Sequence, residues 1–343
     1  MNRILKKKSC LGAAILATSL LSMFQSGAYA SDLKAEVCPS QDFAQFLPAF
    51  SVNAETQQRF TAPTVKSLVL KPAAESPRFE PTTTDVKSAT LVFPLIAPIG
   101  AEKPESLETE VIDDSHVSVV DKRAGNSKIK ILKFTRQSCW VLEGVEDWSI
   151  SEKDLSASSK PSMSSTENFC FQRAEAYAGL GGLEQYRLTG ELFEAALENY
   201  VCAAASGDPQ ASLNAASLSL SGMAPQLETS KVEALFKAAA TTLPDGALSL
   251  SLFYCQGNNP VAQGPCQHPV EAEKALLRAA AFGGSDEIYG LGHSFETGEL
   301  VTKDISRALA CYQLAADKGN EVAIANLNRL KKQADSYKAS YCY

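Results

Sequence analysis

The feature that most restricts the fold is an elbow that recurs through the second half of the chain. Four Ala-rich segments each end in a turn: "AAASGD" at Gly207, "AATTLP" at Thr242, "AAFGGS" at Gly283 and "AADKGN" at Gly319. The turns are 35, 41 and 36 residues apart, and the longest interval contains one insertion, "CQGNNPVAQGPC". A period of this length predicts about four helix-turn-helix units and a closing helix.

Two further regularities lie between the elbows. A glycine follows fifteen residues after three of them, and an aromatic residue follows twelve residues after two of them: Gly222, Gly257 and Gly298, and Tyr254 and Phe295. Glycine at a helix end supplies the left-handed residue that terminates the helix. A hairpin of about 35 residues cannot bury its apolar face alone, so the units must stack on one another.

The last unit, "GLGHSFETGELVTKDISRALACYQLAADKGNEVAIANL", closely resembles the Sel1-like repeat, a relative of the tetratricopeptide repeat. The matching residues are Leu291, Gly292, Phe295, Gly298, Lys303, Asp304, Ala308, Leu309, Tyr312, Ala315, Ala316, Gly319, Ala323 and Leu327. Earlier units match more loosely, and the resemblance covers roughly residues 167–335. It implies a right-handed α-solenoid with a concave binding face, and adaptor or scaffold roles in bacterial envelopes.

The first half of the chain has a different composition, rich in β-branched and aromatic residues. Five segments are predicted strands: "VKSLVL", "ATLVFPLIAPI", "HVSVV", "KIKILKF" and "CWVLEGVEDWSI". Before them, Phe43, Phe46, Leu47 and Phe50 lie at helical spacing. One or two helices followed by an antiparallel sheet is the simplest interpretation, and this order loosely resembles small NTF2-like domains.

These patterns predict three segments after a leader. Residues 31–150 form an α+β domain, residues 151–168 a Ser-rich linker, and residues 169–343 an all-α solenoid of Sel1-like hairpins with a C-terminal capping helix.

Residues 1–30 have the pattern of a secretory signal peptide. "MNRILKKKS" is basic, "CLGAAILATSLLSMF" is apolar, and Ala28 and Ala30 occupy the A-x-A positions, so we expect cleavage between Ala30 and Ser31. No later stretch approaches the ~20 apolar residues that a membrane-spanning helix needs. The expected protein is periplasmic or secreted and has no transmembrane segment.

Net charge argues against one class of partner. Without the signal peptide the chain has 28 basic and 39 acidic residues, a balance of −11. A net acidic chain lacks the basic surface of a nucleic-acid binder, so we expect no nucleic-acid partner.

Eight cysteines follow the signal peptide, and disulfides are the expected state in an oxidising compartment. Eight cysteines allow 105 pairings. In an antiparallel hairpin the start of the first helix lies beside the end of the second, which favours Cys170–Cys202. Cys255 and Cys266 flank one loop of a hairpin, which favours Cys255–Cys266. The alternative is that these cysteines are buried free thiols.

The remaining four cysteines are assigned less directly. Cys38 and Cys139 pair inside the N-terminal domain by elimination. Cys311 lies on the last hairpin, and Cys342 can reach it if the capping helix ends near Ala334 and the tail doubles back. A capping helix that continued unbroken through Tyr341 would exclude this bond.

Candidates for catalysis or metal binding are weak. His116, His268 and His293 are isolated from one another, and no zinc-ligand spacing occurs. "GHSFE" around Ser294 lacks the closing glycine of a nucleophile elbow. "SDLK" at residues 31–34 has no companion motifs, and "GLGG" at residues 179–182 ends a helix rather than following a strand. We expect no catalytic residues, no cofactor and no metal.

Two functions remain after these exclusions. The first is a non-enzymatic, exported, disulfide-stabilised scaffold module that binds a protein or cell-envelope component on the concave solenoid face. The alternative is an enzyme or a receptor for a small ligand or cell-wall fragment, with a pocket in the N-terminal domain. Trp140 and Trp148 could line such a pocket, although core packing is the favoured interpretation, because they straddle an alternating strand pattern.

Disulfide mapping tests the cysteine assignment. Proteolysis of the exported protein under non-reducing conditions, followed by mass spectrometry, should recover Cys170 linked to Cys202 and Cys255 linked to Cys266, because both pairs lie within one hairpin. Recovery of either pair as unlinked thiols would contradict the assignment.

Overall fold

The computed structural model describes residues 37–75, 78–100, 106–122, 127, 129–155, 163–259, 265–332 and 341–343. The predicted signal peptide, the cleavage position between Ala30 and Ser31 and the "SDLK" segment lie outside the described residues.

Two short helices and a six-stranded sheet form the N-terminal region. The helices are α1 (Phe43–Ser51) and α2 (Ala54–Arg59), and the strands are β1 (Thr61–Pro72), β2 (Phe79–Lys87), β3 (Leu107–Val111), β4 (His116–Asp121), β5 (Lys130–Arg136) and β6 (Trp140–Asp147). The strand order is β2-β1-β6-β5-β4-β3. The predicted α+β class is confirmed, but the prediction of an antiparallel sheet is wrong in one place, because β1 and β6 are parallel.

The parallel pair follows from where the two strands begin. Cys38, before α1, is bonded to Cys139, which directly precedes β6. After α1 and α2 the chain returns to the same end of the sheet, where the Leu142 N–H donates to the Phe60 carbonyl oxygen at 2.8 Å. β1 and β6 therefore start together and run in the same direction.

One predicted strand, "ATLVFPLIAPI", is wrong. Its first residues lie in a 3₁₀ turn, and residues 91–99 are irregular. Pro94 and Pro98 have no N–H to donate to a ladder. The N–H groups of Leu95 and Ile96 instead donate to the buried Gln57 side-chain oxygen at 2.7 and 3.2 Å.

Two strands, β2 and β3, have no counterpart in the sequence prediction. Both are edge strands of the described sheet, with the mainly polar sequences "FEPTTTDVK" and "LETEV". An edge strand exposes more of its surface, so its residues lack the apolar alternation by which inner strands are identified.

The sheet buries apolar side chains on both faces. One face packs against α1 in a cluster that includes Phe46, Val65, Leu132, Phe134 and Leu142. Alternate strand residues point to the other face and join a second cluster with the helical half of the chain: Leu70, Val120 and Ile131, together with Trp148 directly after β6.

Within its described residues, the helical half consists of four hairpins and a closing helix, which confirms the predicted α-solenoid. The hairpins are α3 (Ser165–Gly182) with α4 (Thr189–Ala204), α5 (Pro209–Leu220) with α6 (Thr229–Ala239), α7 (Pro244–Gln256) with α8 (Pro269–Ala281), and α9 (Ser285–Thr297) with α10 (Ile305–Asp317); α11 (Glu321–Lys331) closes the stack. One apolar cluster continues from the sheet through to α8, and a second joins α8 to α11.

The first hairpin begins inside the segment that was predicted as a linker. α3 starts at Ser165 because Ser164 and Glu167 form a capping box: the Glu167 N–H donates to the Ser164 hydroxyl, and the Ser164 N–H donates to the Glu167 carboxylate. The elbow glycines Gly207, Gly283 and Gly319 have φ of 80°, 84° and 87°, which is the left-handed conformation expected at these helix ends.

A matched pair of glycine substitutions tests the close stacking of the second and third hairpins. A Cβ on Gly246 of α7 would lie 2.6 Å from the Ala239 carbonyl carbon, whereas a Cβ on Gly290 of α9 meets nothing within 4 Å. We expect Gly246→Ala to reduce the free energy of unfolding by about 1–3 kcal/mol. Gly290→Ala should be neutral or stabilise by up to about 1 kcal/mol. Urea titration followed by circular dichroism measures both; equal midpoints would contradict the close approach.

Candidate functional site

Four disulfide bonds lie in the described structure, one in the N-terminal region and three in the helical half. The bonds are Cys38–Cys139, Cys170–Cys202, Cys255–Cys266 and Cys311–Cys342, with Cα–Cα distances of 5.4, 5.9, 4.0 and 4.6 Å. These are the four pairs proposed from the sequence. Such a set of disulfides fits an exported protein.

The last of these bonds holds residues 341–343, which we call the tail, against α10. Helix α11 ends at Lys331, and Cys342 returns to the fully buried Cys311. Beside it, the Arg307 guanidinium lies 3.9 Å from the centre of the Phe295 ring and donates to the Cys342 carbonyl oxygen at 3.3 Å. The tail therefore covers the side of the last hairpin.

A group of polar and aromatic side chains lies where α9 and α11 run side by side. We call it the terminal face and define it as Tyr289, His293 and Glu296 of α9 with Asn326 and Arg329 of α11. The α9 residues are four and three positions apart, so they share one side of the helix. His293 stacks on Tyr289 with ring centres 6.1 Å apart, and His293 and Arg329 are exposed.

Hydrogen bonds connect the terminal face across the two helices. The Arg329 guanidinium donates to both carboxylate oxygens of Glu296, at 2.6 and 2.8 Å. Asn326 contacts the Tyr289 hydroxyl at 3.3 Å. These contacts join α9 to the closing helix through polar side chains that remain partly accessible.

Glu296 also accepts a hydrogen bond from Tyr312 of α10, at 2.7 Å. Burial acts to raise the pKa of Glu296, but the hydrogen bonds from Tyr312 and Arg329 outweigh it and hold the pKa below its ordinary value. Burial, and then the adjacent carboxylate, raise the pKa of Tyr312. The pair is therefore an ionised carboxylate with a protonated phenol.

The first hairpin contains the same arrangement. The Tyr200 hydroxyl donates to Glu175 at 2.6 Å, and Asn214 of the next hairpin donates to the same carboxylate oxygen at 3.1 Å. Tyr200 and Tyr312 each lie seven residues before an elbow glycine, and Asn214 and Asn326 each lie seven residues after one. The sequence analysis missed these residues, although this shared spacing is a signal that could have found them.

A separate cleft lies between the sheet and the loop that joins α3 to α4. We call it the sheet cleft; its volume is about 410 Å³. It is lined by Leu68, Pro81, Ile112, Ser118, Ile131, Lys133, Glu146, Trp148, Gln185, Tyr186, Arg187 and Leu188. Trp148, one of the two tryptophans singled out from the sequence, therefore does line a cleft.

The other tryptophan does not line it. Trp140 is buried in the core against Phe43, with ring centres 4.9 Å apart, and its indole N–H donates to the Gln41 carbonyl oxygen at 2.9 Å. For Trp140 the core-packing interpretation is the one that the structure supports.

The histidines and the serine from the sequence analysis have local partners. His116 contacts Asp113 at 2.9 Å, and His268 packs edge-on against Tyr254. Ser294 is buried within α9 and donates to the Gly290 carbonyl oxygen at 2.9 Å. Among the described residues, no cluster of three His, Cys, Asp or Glu side chains is arranged to hold a metal ion.

The "GLGG" segment at residues 179–182 lies at the end of α3. In the ranges that the structure describes, no helix combines the length and apolar character needed to cross a membrane.

Among the known proteins compared, only solved structures are similar to this chain. No protein-family model and no curated protein matches the chain. A protective antigen of uropathogenic Escherichia coli with an SLR fold is 24% identical over 47% of this chain and 34% of its own, with a TM-score of 0.36. The match therefore spans about a third of that antigen's length.

Two further solved structures are Sel1 repeat proteins. One, from Oxalobacter formigenes, is 27% identical over 39% of this chain and 97% of its own, with a TM-score of 0.30. A putative one from Klebsiella pneumoniae subsp. pneumoniae is 17% identical over 49% and 84%, with a TM-score of 0.28. The α-solenoid architecture is established by the hairpins themselves. Its hairpins, elbows and closing helix have the arrangement that the Sel1-like resemblance implies. The NTF2-like resemblance of the N-terminal domain stays a prediction.

The pH dependence of stability tests the Glu296 contacts. The pKa of Glu296 in the folded state lies below its ordinary value of 4.5. The ionised carboxylate therefore adds to the free energy of unfolding above pH 4.5, and this stabilisation is lost as the pH falls through the lowered pKa. We expect Glu296→Gln to destabilise by about 1 kcal/mol at pH 7, and this difference to disappear in acid. Urea midpoints at several pH values measure it. The exposed Glu299→Gln is the control, and a difference from wild type that did not vary with pH would contradict the assignment.

Proposed function

We propose that this chain is a periplasmic or secreted interaction module that binds a protein of the cell envelope, and that it has no catalytic step. The observation that carries the proposal is the terminal face. It presents aromatic, acidic and basic side chains together on two adjacent helices. Arg and Tyr are the residue types that most often dominate binding energy at protein interfaces.

The stacked hairpins support a binding role for a physical reason. Each unit contacts only its neighbours, so a solenoid offers an extended surface on a rigid frame. The disulfides Cys170–Cys202, Cys255–Cys266 and Cys311–Cys342 reinforce this frame in the first, third and last hairpins. A preordered surface loses less conformational entropy when it binds. We propose that the terminal face belongs to the concave face that the Sel1-like resemblance implies, and that the partner binds there.

Charge indicates the chemistry of the partner. Residues 169–343 contain 19 acidic and 13 basic side chains, so the helical half attracts a positively charged surface. We therefore propose a partner protein whose surface around the contact carries a net positive charge. Such binding weakens with added salt, since exposed charges are screened over about 10 Å at 0.1 M ionic strength.

Site-specific photo-crosslinking in the exporting cell tests the proposal. A photo-crosslinking amino acid in place of His293 places the probe on the terminal face. The same probe in place of Val270, which is 74% exposed at the start of α8, is the control. We expect one protein to be crosslinked from position 293 and not from position 270. Equal crosslinking from both positions, or none from either, would count against the terminal face.

Binding measurements with the purified partner then test which residues of the terminal face contribute to affinity. Arg329→Ala should weaken binding by about tenfold or more, because an interfacial Arg contributes well over 1 kcal/mol when it is central to a contact. Glu299→Ala, an exposed change outside the terminal face, should leave binding unchanged. If Arg329→Ala had no effect, the partner would have to bind elsewhere on the solenoid.

A further inference from the structure

The sheet cleft has the dimensions and lining of a small-ligand site. Small-molecule pockets occupy roughly 300–1,000 Å³ and have mostly apolar walls with a few polar groups that orient the ligand. The cleft has a volume of about 410 Å³. Leu68 and Ile131 of the sheet, with Trp148 and Tyr186, form its apolar part. The rings of Trp148 and Tyr186 meet edge to face, with centres 5.4 Å apart.

Two cations lie beside this apolar part, one from each wall. Lys133 comes from β5 and pairs with Glu146, and Arg187 comes from the loop between α3 and α4 and pairs with Glu110. The Lys133 and Arg187 side chains are 47% and 57% exposed, so both reach solvent at the cleft. An ammonium has three N–H donors and a guanidinium five, so neither cation is saturated by the one carboxylate with which it pairs among the described residues.

The hydrogen-bonding capacity of the carboxylate in the cleft is more fully occupied than that of the two cations. Glu146 is only 16% exposed and accepts from Lys133 and from the Trp148 indole N–H, the latter at 3.2 Å. Donors therefore remain available in the cleft while its acidic group is already engaged. A ligand that brings acceptors fits this imbalance better than one that brings an ammonium group. A carboxylate suits it most, since a guanidinium can hold both of its oxygens.

We propose that the sheet cleft binds a carboxylate attached to an apolar body, such as the free C-terminal end of a peptide with an apolar or aromatic last residue. Lys133 and Arg187 hold the carboxylate, and the adjacent side chain lies against Trp148 and Tyr186. This site is separate from the terminal face. It assigns a binding role to the junction of the sheet with the first hairpin, and it does not depend on the partner proposed for the terminal face.

The chain's two tryptophans allow a direct measurement. Trp140→Phe leaves Trp148 as the only tryptophan, and Trp148→Phe leaves only Trp140 in the core as the control. The probe is N-acetylphenylalanine, titrated into the oxidised, signal-cleaved protein and followed by tryptophan emission and by calorimetry. The proposal expects a saturable change in emission from Trp148 and none from Trp140.

Two analogues separate the possible ligands. N-Acetylphenylalanine amide keeps the ring and removes the charge, and phenylethylamine reverses the charge. The acid should bind at least about tenfold more tightly than either. Equal binding of acid and amide would overturn carboxylate recognition, and tighter binding of the amine would overturn the proposed charge preference. No heat and no emission change at millimolar acid would overturn the site itself.

Substitutions then test which residues bind the carboxylate of the ligand. Lys133→Gln and Arg187→Gln should each weaken binding of the acid by about tenfold and leave the amide unaffected. Lys71→Gln, which changes an exposed lysine of β1 outside the cleft, should have no effect. Near-ultraviolet circular dichroism and the thermal midpoint check that each variant is folded. If both cleft variants are folded and bind the acid like wild type, the assignment of these two residues is wrong.

Discussion

The structure depends on one constraint: a helical hairpin of about 35 residues has more apolar surface than it can bury by itself. Each hairpin must therefore be covered by its neighbours, and both ends of the stack need a different cover. At the C-terminal end, α11 and the disulfide-linked tail provide it. At the N-terminal end, the second face of the sheet provides it, and the apolar cluster continues from the strands into α3 and α4 without interruption.

This shared apolar core explains why the sheet region and the helical half pack tightly together although their compositions differ. Tyr177 of α3 is fully buried and donates to the Trp148 carbonyl oxygen at 3.2 Å, while the Ile150 N–H donates to the Tyr177 hydroxyl at 3.2 Å. Arg173, one turn earlier, donates to the Ile150 carbonyl oxygen at 3.2 Å. The chain leaving β6 is thus fixed to the first helix of the stack. The sheet cleft lies next to this junction, because Trp148 and the loop after α3 line it from opposite sides.

Polar contacts on the surface of the stack also connect each hairpin to its neighbour. Glu175 and Glu296 each accept from a tyrosine of their own hairpin and from a side chain of the next helix. These bonds orient neighbouring units where apolar packing alone would allow sliding. They also leave carboxylates, amides and a guanidinium accessible in fixed positions. The terminal face is therefore a structural joint whose polar side chains are held in fixed positions.

The sequence by itself determined the features that depend on near neighbours. The elbow glycines, the four hairpins, the helix that begins at Phe43 and the choice of cysteine pairs within a hairpin all follow from local spacing. Backbone conformation at a turn and the position of a residue on its own helix depend on a few adjacent residues, so a periodic pattern reveals them.

Only the tertiary structure decided the features that depend on distant residues. The parallel pairing of β1 and β6 and the polar edge strands β2 and β3 have no local pattern. The sheet cleft brings Trp148 to Tyr186, and the terminal face brings Glu296 to Arg329, from elements well separated along the chain. Those contacts arise because each element must bury its apolar side against another. The sequence specified which residues are apolar, and packing in three dimensions decided which polar residues came to lie beside one another.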